Sequence, residues 1–316
     1  MNSFAYCVHH ADVRRIDPQQ AVTHQSELVW IHRTDSDAAA QAWLCHCAGL
    51  PDIIVDALTA SETRPRCDAV GEGVILNLRG RSNDAVPMSD PLASVRIWAV
   101  AGRLISVTRR PLTAIALVEA ELASGAIHDP GDLIAAFATA ITTELDPEVA
   151  ELGDLLDDCE ADLTGDRVFE LRQKVTKVRS TAIGYRRFLS PQRAAIEKLA
   201  ALPVPWLQGD DRLHLAAAAD RAARMAEELE AIRERAALTH EALTDLRAEQ
   251  IDRRSLIIAI VAMVFLPLTF LTGLLGMNVA GIPYAHAPWA FWGVVGVCGL
   301  LAVGIAGYFI QRHWFR

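Results

Sequence analysis

The stretch that decides the fold is Arg253–Trp289, RRSLIIAIVAMVFLPLTFLTGLLGMNVAGIPYAHAPW. From Leu256 to Leu275 every residue is uncharged and most are aliphatic. A helix of about 20 apolar residues is long enough to cross a hydrocarbon core. A second uncharged stretch, Trp289 to Ile310, follows a short polar gap, and no Asp, Glu, Lys or Arg occurs between Arg254 and Arg312. The reading is a membrane hairpin, with spans at 256–277 and 289–311, a loop at 278–288 and a basic tail at 312–316.

The flanks orient it. Arg253 and Arg254 precede the first span, and Arg312, His313 and Arg316 follow the second, while Gly276–Pro288 carries no Lys or Arg. Positive charge favours the cytoplasmic side, so both termini are expected inside and the loop outside. Tyr284, Trp289 and Trp292 suit the outer interface, and Tyr308, Trp314 and Phe315 the inner one.

Within the first span, Ser255, Ala259, Ala262, Leu266, Thr269, Gly273 and Gly276 recur at steps of four and three, which places them on one helix face. That face is smaller and more polar than the rest. Two readings are open: a pore lining, if a ring of copies turns this face inward, or a small-residue seam for helix packing. Pro267 removes a backbone donor and frees the carbonyl of Met263, with a local kink as the simplest consequence. Gly276-Met277-Asn278 then closes the helix, and Asn brings an amide that both donates and accepts. Asn278 can cap the helix or present its amide to an ion's bound water.

A GMN tripeptide directly after an uncharged helix, in a C-terminal two-span hairpin, resembles the CorA-type divalent cation transporter family. MVFLPLTFLTGLLGMNVAGIP (Met263–Pro283) and ALTASETRPRCDAVGEGVILNLR (Ala57–Arg79) are similar to its zinc-transporting branch, and RFLSPQR (Arg187–Arg193) adds a weaker match. Ala280 stands where the resemblance implies Gly. The resemblance covers nearly the whole chain. It implies a homopentamer of the bacterial inner membrane with the pore on its symmetry axis. It further implies an ion-selecting Gly276, Met277 and Asn278, and Zn2+ as cargo, with uptake coupled to protons. No intramembrane carboxylate is present to carry a proton. His286 is either a loop ligand, its imidazole suiting Zn2+ better than Mg2+, or a lone loop histidine without a role.

Composition sets further limits. The chain has 316 residues, 52% of them hydrophobic, with a formal charge of −9, so nucleic acid is not an expected partner. The opening MNSFAYCVHHADVRR puts polar residues where a secretory signal needs an apolar core. Six cysteines show no framework spacing and are expected as free thiols. Cys45-His46-Cys47, His9-His10 and His24 do not form a four-ligand metal pattern and read as core or surface residues.

Residues 1–146 read as an α+β domain, a sheet flanked by helices. Strands are expected at Ala5–Val8, Leu28–His32, Val74–Leu78, Val95–Val100 and Leu104–Val107. Helices are expected at Ser36–Cys47, Asp52–Ser61, Leu112–Leu122 and Asp132–Leu145. Asp146-Pro147 opens a new segment, 147–209, a helical hairpin of Glu148–Leu163 and Arg167–Leu189. Its Asp154, Asp157, Asp158, Glu160 and Asp162 form either a solvated face or a weak regulatory cation site.

A capping Asp, Asp210 or Asp211, then starts a stalk helix over 210–255. There Met225, Leu229, Ile232, Ala236, Thr239, Leu243, Leu246 and Gln250 form a heptad seam. The seam packs either on the chain's own hairpin or around a symmetry axis. Running unbroken into the first span, this helix would extend roughly 95–100 Å.

No phosphate loop, HExxH or nucleophile elbow occurs, so the chain reads as a transporter rather than an enzyme, with no covalently bound cofactor. Small divalent cations hold water tightly, and the span offers hydroxyls, carbonyls and an amide rather than stripping ligands. A hydrated or partly hydrated cation fits. Its partners are then other copies of the chain, the lipid bilayer and divalent cations. The alternatives are a Mg2+, Co2+ or Ni2+ channel of the same superfamily, or a membrane-anchored cation sensor or scaffold without transport.

Overall fold

A computed structural model describes residues 3–10, 12–34, 38–61, 64–83, 91–163, 167–277, 281–282, 284 and 286–311. The chain divides into two compact units, Met1–Asp162 with Glu170–His240, and Leu163–Phe169 with Glu241–Arg316. The first is built on a seven-stranded sheet: β1 (Phe4–His9), β2 (Asp12–Ile16), β3 (Leu28–Arg33), β4 (Arg66–Val70), β5 (Gly73–Arg81), β6 (Leu92–Val100) and β7 (Arg103–Thr108). Their order is β2-β1-β3-β7-β6-β5-β4, antiparallel throughout except β3 against β7.

Five strands coincide with the apolar stretches of the sequence. The other two, β2 (DVRRI) and β4 (RCDAV), are the sheet's edges. Edge strands need little apolar pattern, because backbone bonds to one neighbour hold them and charged side chains protect the open edge. The β6–β7 hairpin turns at Gly102, whose φ of +72° favours glycine and where a Cβ would meet the Ser26 carbonyl at 3.2 Å.

Helices cover both faces. On one side α1 (Pro18–Ala21), α2 (Ala38–His46) and α3 (Asp52–Thr59) enclose Val29, Ile31, Leu44, Leu58, Ile105 and Val107. On the other side α4 (Thr113–Ala123) and α5 (Pro130–Ala161) bring buried residues such as Ile115 and Phe137, the latter meeting Trp30 edge-on at 5.7 Å. His32 is fully buried there, its Nδ1 2.8 Å from Ser106 Oγ. Burial pushes its pKa down to about 3, so the imidazole is neutral.

The expected break at Asp146-Pro147 does not exist. α5 runs through Pro147 to Ala161, and α6 (Val168–Ala201) likewise runs through Pro191. Pro147 and Thr143, the residue whose carbonyl loses its donor, are both exposed, so water satisfies that carbonyl. Around the proline, Leu145, Val149, Leu152, Leu156 and Cys159 keep one buried stripe. Continuous packing along that stripe outweighs the missing hydrogen bond.

Three helices meet by heptad stripes. α6 supplies Leu171, Val175, Val178, Ala182, Tyr185 and Leu189, and α7 (Gly209–Leu275) supplies Leu215, Ala218, Ala222, Met225, Leu229, Ile232, Ala236 and Thr239. The heptad seam is therefore buried inside the chain up to Thr239, and Leu243 is buried as well, whereas Leu246 and Gln250 are half-exposed. Ion pairs staple its margins: Arg235 with Asp157 and Glu160, and Arg186 with Glu230. The start of α7 also differs from the expected Asp cap. Asp211 lies inside the first turn, and its Oδ2 accepts from the backbone N–H of Gln208 at 2.7 Å, as the third residue of a capping box does.

Candidate functional site

The second unit contains α7 from Glu241 onward and α8 (Ala290–Gln311). Both carry a window apolar and long enough to cross a membrane. Helix is the conformation such segments must take, because in lipid every backbone polar group needs an internal partner.

Each apolar segment has a single sheltered stripe. On α7 the half-buried residues are Leu256, Ile260, Val264, Pro267, Leu268 and Leu271; on α8 they are Ala290, Val294, Cys298, Ala302 and Ile305, with Phe309 buried. Two helices that shelter one another along one line produce this pattern. At 3.6 residues per turn, the sheltered stripe of α7 lies roughly half a turn from Ser255, Ala259, Ala262, Leu266, Thr269 and Gly273. All six of those residues are exposed, Leu266 by 75%. The chain brings them to one face and leaves that face uncovered.

The chemistry of this stripe is weakly polar. Thr269 Oγ1 donates to the Phe265 carbonyl at 2.8 Å, which commits its only hydrogen and leaves its lone pairs as acceptors. Thr272, beside the stripe, donates to the Leu268 carbonyl at 2.9 Å. The helix ends at Leu275, and the Gly276 N–H still reaches the Thr272 carbonyl at 2.9 Å. Met277 is exposed, and Asn278 lies outside the described residues. His286 is an exposed turn residue and belongs to no group of converging metal ligands among the described residues. Tyr284 and Trp289 pack with ring centroids 5.3 Å apart; Trp314 and Phe315 are not among the described residues.

The same four-and-three spacing extends backwards from Ser255 through Asp252, Ala248, Asp245 and Glu241, all exposed. The apolar stripe thus continues into one bearing three carboxylates. Hydropathy alone hides this because it stops at the last charged residue; carrying the spacing upstream from Ser255 reveals it.

The other candidates resolve into structural roles. Cys45 Sγ lies 3.4 Å from Asp52 Oδ1, a contact that raises the thiol pKa rather than preparing a metal thiolate. His9 and His10 stack, and His10 Nδ1 pairs with Glu27 at 2.7 Å on the exposed surface. In the acidic hairpin, Asp157 and Glu160 hold Arg235, so these carboxylates already have a cation within the chain. Asp129, Asp132 and Asp211 converge at the start of α5, where Asp129 caps the helix by accepting from Gly131 and Asp132. A Cβ at Gly131 would stand 2.1 Å from Asp211 Oδ2, so any larger residue there would displace that carboxylate. Burial, and then the neighbouring Asp129 and Asp132, push Asp211 up to about 6.

Comparison with known proteins matches residues 25–312 to the family described as CorA-like Mg2+ transporter protein. The chain is 31% identical over 297 residues to a zinc transport protein ZntB of Pectobacterium atrosepticum, covering 94% of this chain and 90% of that one. It is 34% identical over 285 residues to the divalent cation transporter CmaX of Pseudomonas aeruginosa, covering 89% and 85%. The solved structure of full-length CmaX superposes with a TM-score of 0.75 at 30% identity, covering 99% of this chain and 98% of that one.

Proposed function

The chain belongs to the CorA-like Mg2+ transporter family, and on that footing we propose that it moves divalent metal cations, Zn2+ foremost, across a membrane. The pathway runs along the stripe Ser255, Ala259, Ala262, Leu266, Thr269 and Gly273, contributed by each copy of a homopentamer around its axis. One observation carries this reading: the small, weakly polar stripe is exposed and lies opposite the stripe that the hairpin shelters. A helix that served only as an anchor would have no reason to keep its polar groups on the uncovered side.

The ion passes with much of its water. Thr269 has its hydrogen committed to Phe265 and so accepts hydrogen bonds from coordinated water. Gly276 and Met277 lead to Asn278, whose amide forms the selecting ring at the outer mouth. Glu241, Asp245 and Asp252 continue the stripe as carboxylate rings that raise the local cation concentration at the inner mouth. Arg253 and Arg254 hold the first unit on the cytoplasmic side of the inner membrane, with the loop outside. Residues 1–209 form the cytoplasmic body, 210–255 the stalk, and 256–277 and 289–311 the spans. No covalent chemistry is required.

Zn2+ is favoured over Mg2+ by the 31% identity to a zinc transport protein and by the loop. Val279–Pro288 has no Asp or Glu to gather a hard cation, and His286 offers a borderline-soft nitrogen. The test is flux of Zn2+, Co2+, Ni2+ and Mg2+ into liposomes bearing the purified protein, with and without a pH gradient. Zn2+ flux above Mg2+ flux supports the reading, and stimulation by an inward proton gradient establishes coupling. Mg2+ flux equal to Zn2+ flux under equal gradients overturns the cargo, and no metal flux at all overturns the pore.

A further inference from the structure

Six arginines line one cavity in the first unit: Arg64, Arg79, Arg96, Arg109, Arg110 and Arg187, around a space of about 490 Å3. They come from distant parts of the chain. Arg79 lies on β5 and Arg96 on β6, while Arg109 and Arg110 follow β7; Arg64 precedes β4, and Arg187 is on α6. The sheet's register assembles three of them. Arg79 pairs with Ser94 and Arg96 with Val107, and alternation along each strand then sets Arg79, Arg96 and Arg109 on one face. No acidic residue lines the cavity among the described residues.

Part of this charge is held in place. Arg109 Nη2 donates to the Thr59 carbonyl at 2.8 Å, Arg79 Nη2 to the Leu92 carbonyl at 3.0 Å, and Arg79 lies 3.8 Å over the Phe188 ring. Arg96 is different. It is 2% exposed, and its Nε and Nη1 are buried with no hydrogen-bond partner among the described residues. Its cross-strand neighbour Asn77 is also buried with both amide atoms unpartnered, and a neutral amide cannot balance a guanidinium charge. Burial, then Arg109 and Arg79, lower the Arg96 pKa to about 10, which still leaves the group charged at neutral pH. A buried charge with orphan donors is among the costlier features a fold can keep. A counter-charge entering the cavity removes that cost.

We propose that this cavity binds a multiply charged phosphate-bearing anion, inorganic pyrophosphate or a nucleoside di- or triphosphate, with Arg96 as its innermost contact. The guanidinium fork matches paired phosphate oxygens, and several forks around one cavity match several phosphoryl groups. Arg64, Arg96, Arg109 and Arg187 already bring more positive charge to the cavity than a monovalent anion balances. The volume exceeds what orthophosphate fills and falls within the range of small-ligand pockets, about 300–1,000 Å3. Ser61 and Ser94 add hydroxyls at the wall. The proposal stands independently of the cation-transport reading.

The test uses the full-length protein in detergent at near-neutral pH, with a chelator present so that no metal neutralises the ligand. Titration calorimetry and thermal shift are measured with orthophosphate, pyrophosphate, ADP and ATP. Pyrophosphate or the nucleotides should bind at least roughly tenfold more tightly than orthophosphate and weaken as salt rises. ATP tighter than pyrophosphate assigns a nucleotide; equal affinity assigns the inorganic anion. Arg96→Gln should lose roughly tenfold or more in affinity, yet melt no lower than the wild type without ligand, because its buried charge is gone. If that variant fails to fold, Arg109→Gln and Arg187→Gln, at exposed positions, carry the same comparison. Absence of both heat and thermal shift at millimolar concentrations of all four anions, or wild-type affinity in the arginine variants, overturns the proposal.

Discussion

Leu266→Ser separates a pore-facing residue from a packing residue. In the single chain Leu266 is 75% exposed. Fully burying a leucine is worth roughly 1.5–3 kcal/mol, so the quarter that is covered contributes less than ~1 kcal/mol to the fold of one chain. The substitution should leave folding and the hairpin intact. If the stripe lines the axis of a pentamer, as proposed, the same change removes a ring of isobutyl groups and replaces it with hydroxyls. A hydrophobic ring gates by dewetting, and wetting it lowers the barrier to a hydrated ion. Lowering that barrier by only ~1.4 kcal/mol, less than one buried leucine, raises flux about tenfold. Liposome flux of Zn2+ is the assay, with assembly checked by size-exclusion chromatography. Leu271→Ser is the comparator: Leu271 sits on the sheltered stripe, so it should lower thermal stability without increasing leak. Unchanged basal flux in a correctly assembled Leu266→Ser protein would refute the facing assigned to this stripe.

Ile232 is buried where α7 meets its partner helices, and Ile232→Ala should cost about 2–5 kcal/mol, read as a lower melting temperature and faster hydrogen exchange in α5–α7. Asp211→Asn should stabilise the protein at neutral pH. The folded-state pKa is raised to about 6 from 3.8, so the carboxylic acid's stabilisation is fully present below the lower value and lost as pH rises through the higher. The gain from Asn should reach up to about 3 kcal/mol above that window and vanish on acidification; pH-dependent melting curves show either outcome. Asn278→Gly should assemble normally and lose ion transport or discrimination, because Gly suits a helix C-terminus as well as Asn does but brings no amide. Wild-type flux and ion preference in that variant would reduce Asn278 to a cap.

Several features follow from composition and spacing because their cause is local. The two spans are legible because lipid selects for an uninterrupted uncharged stretch, a property of the residues themselves. The stripe Ser255–Gly273 is legible because helix geometry alone sets which residues share a face. The strands β1, β3, β5, β6 and β7 show as apolar runs because they supply the core. What tertiary structure decided has non-local causes. The edges β2 and β4 owe their conformation to backbone bonds with β1 and β5, which their own residues do not announce. Pro147 reads locally as a helix start, yet α5 continues through it because the buried stripe on both sides outweighs one hydrogen bond lost to water. The heptad seam of α7 could have packed within the chain or between chains, and only the placement of α5 and α6 showed it to be internal up to Thr239. The arginine cavity was invisible in the sequence for the same reason. Arg79, Arg96 and Arg109 are neighbours only through the register of three strands, and no local spacing records that register.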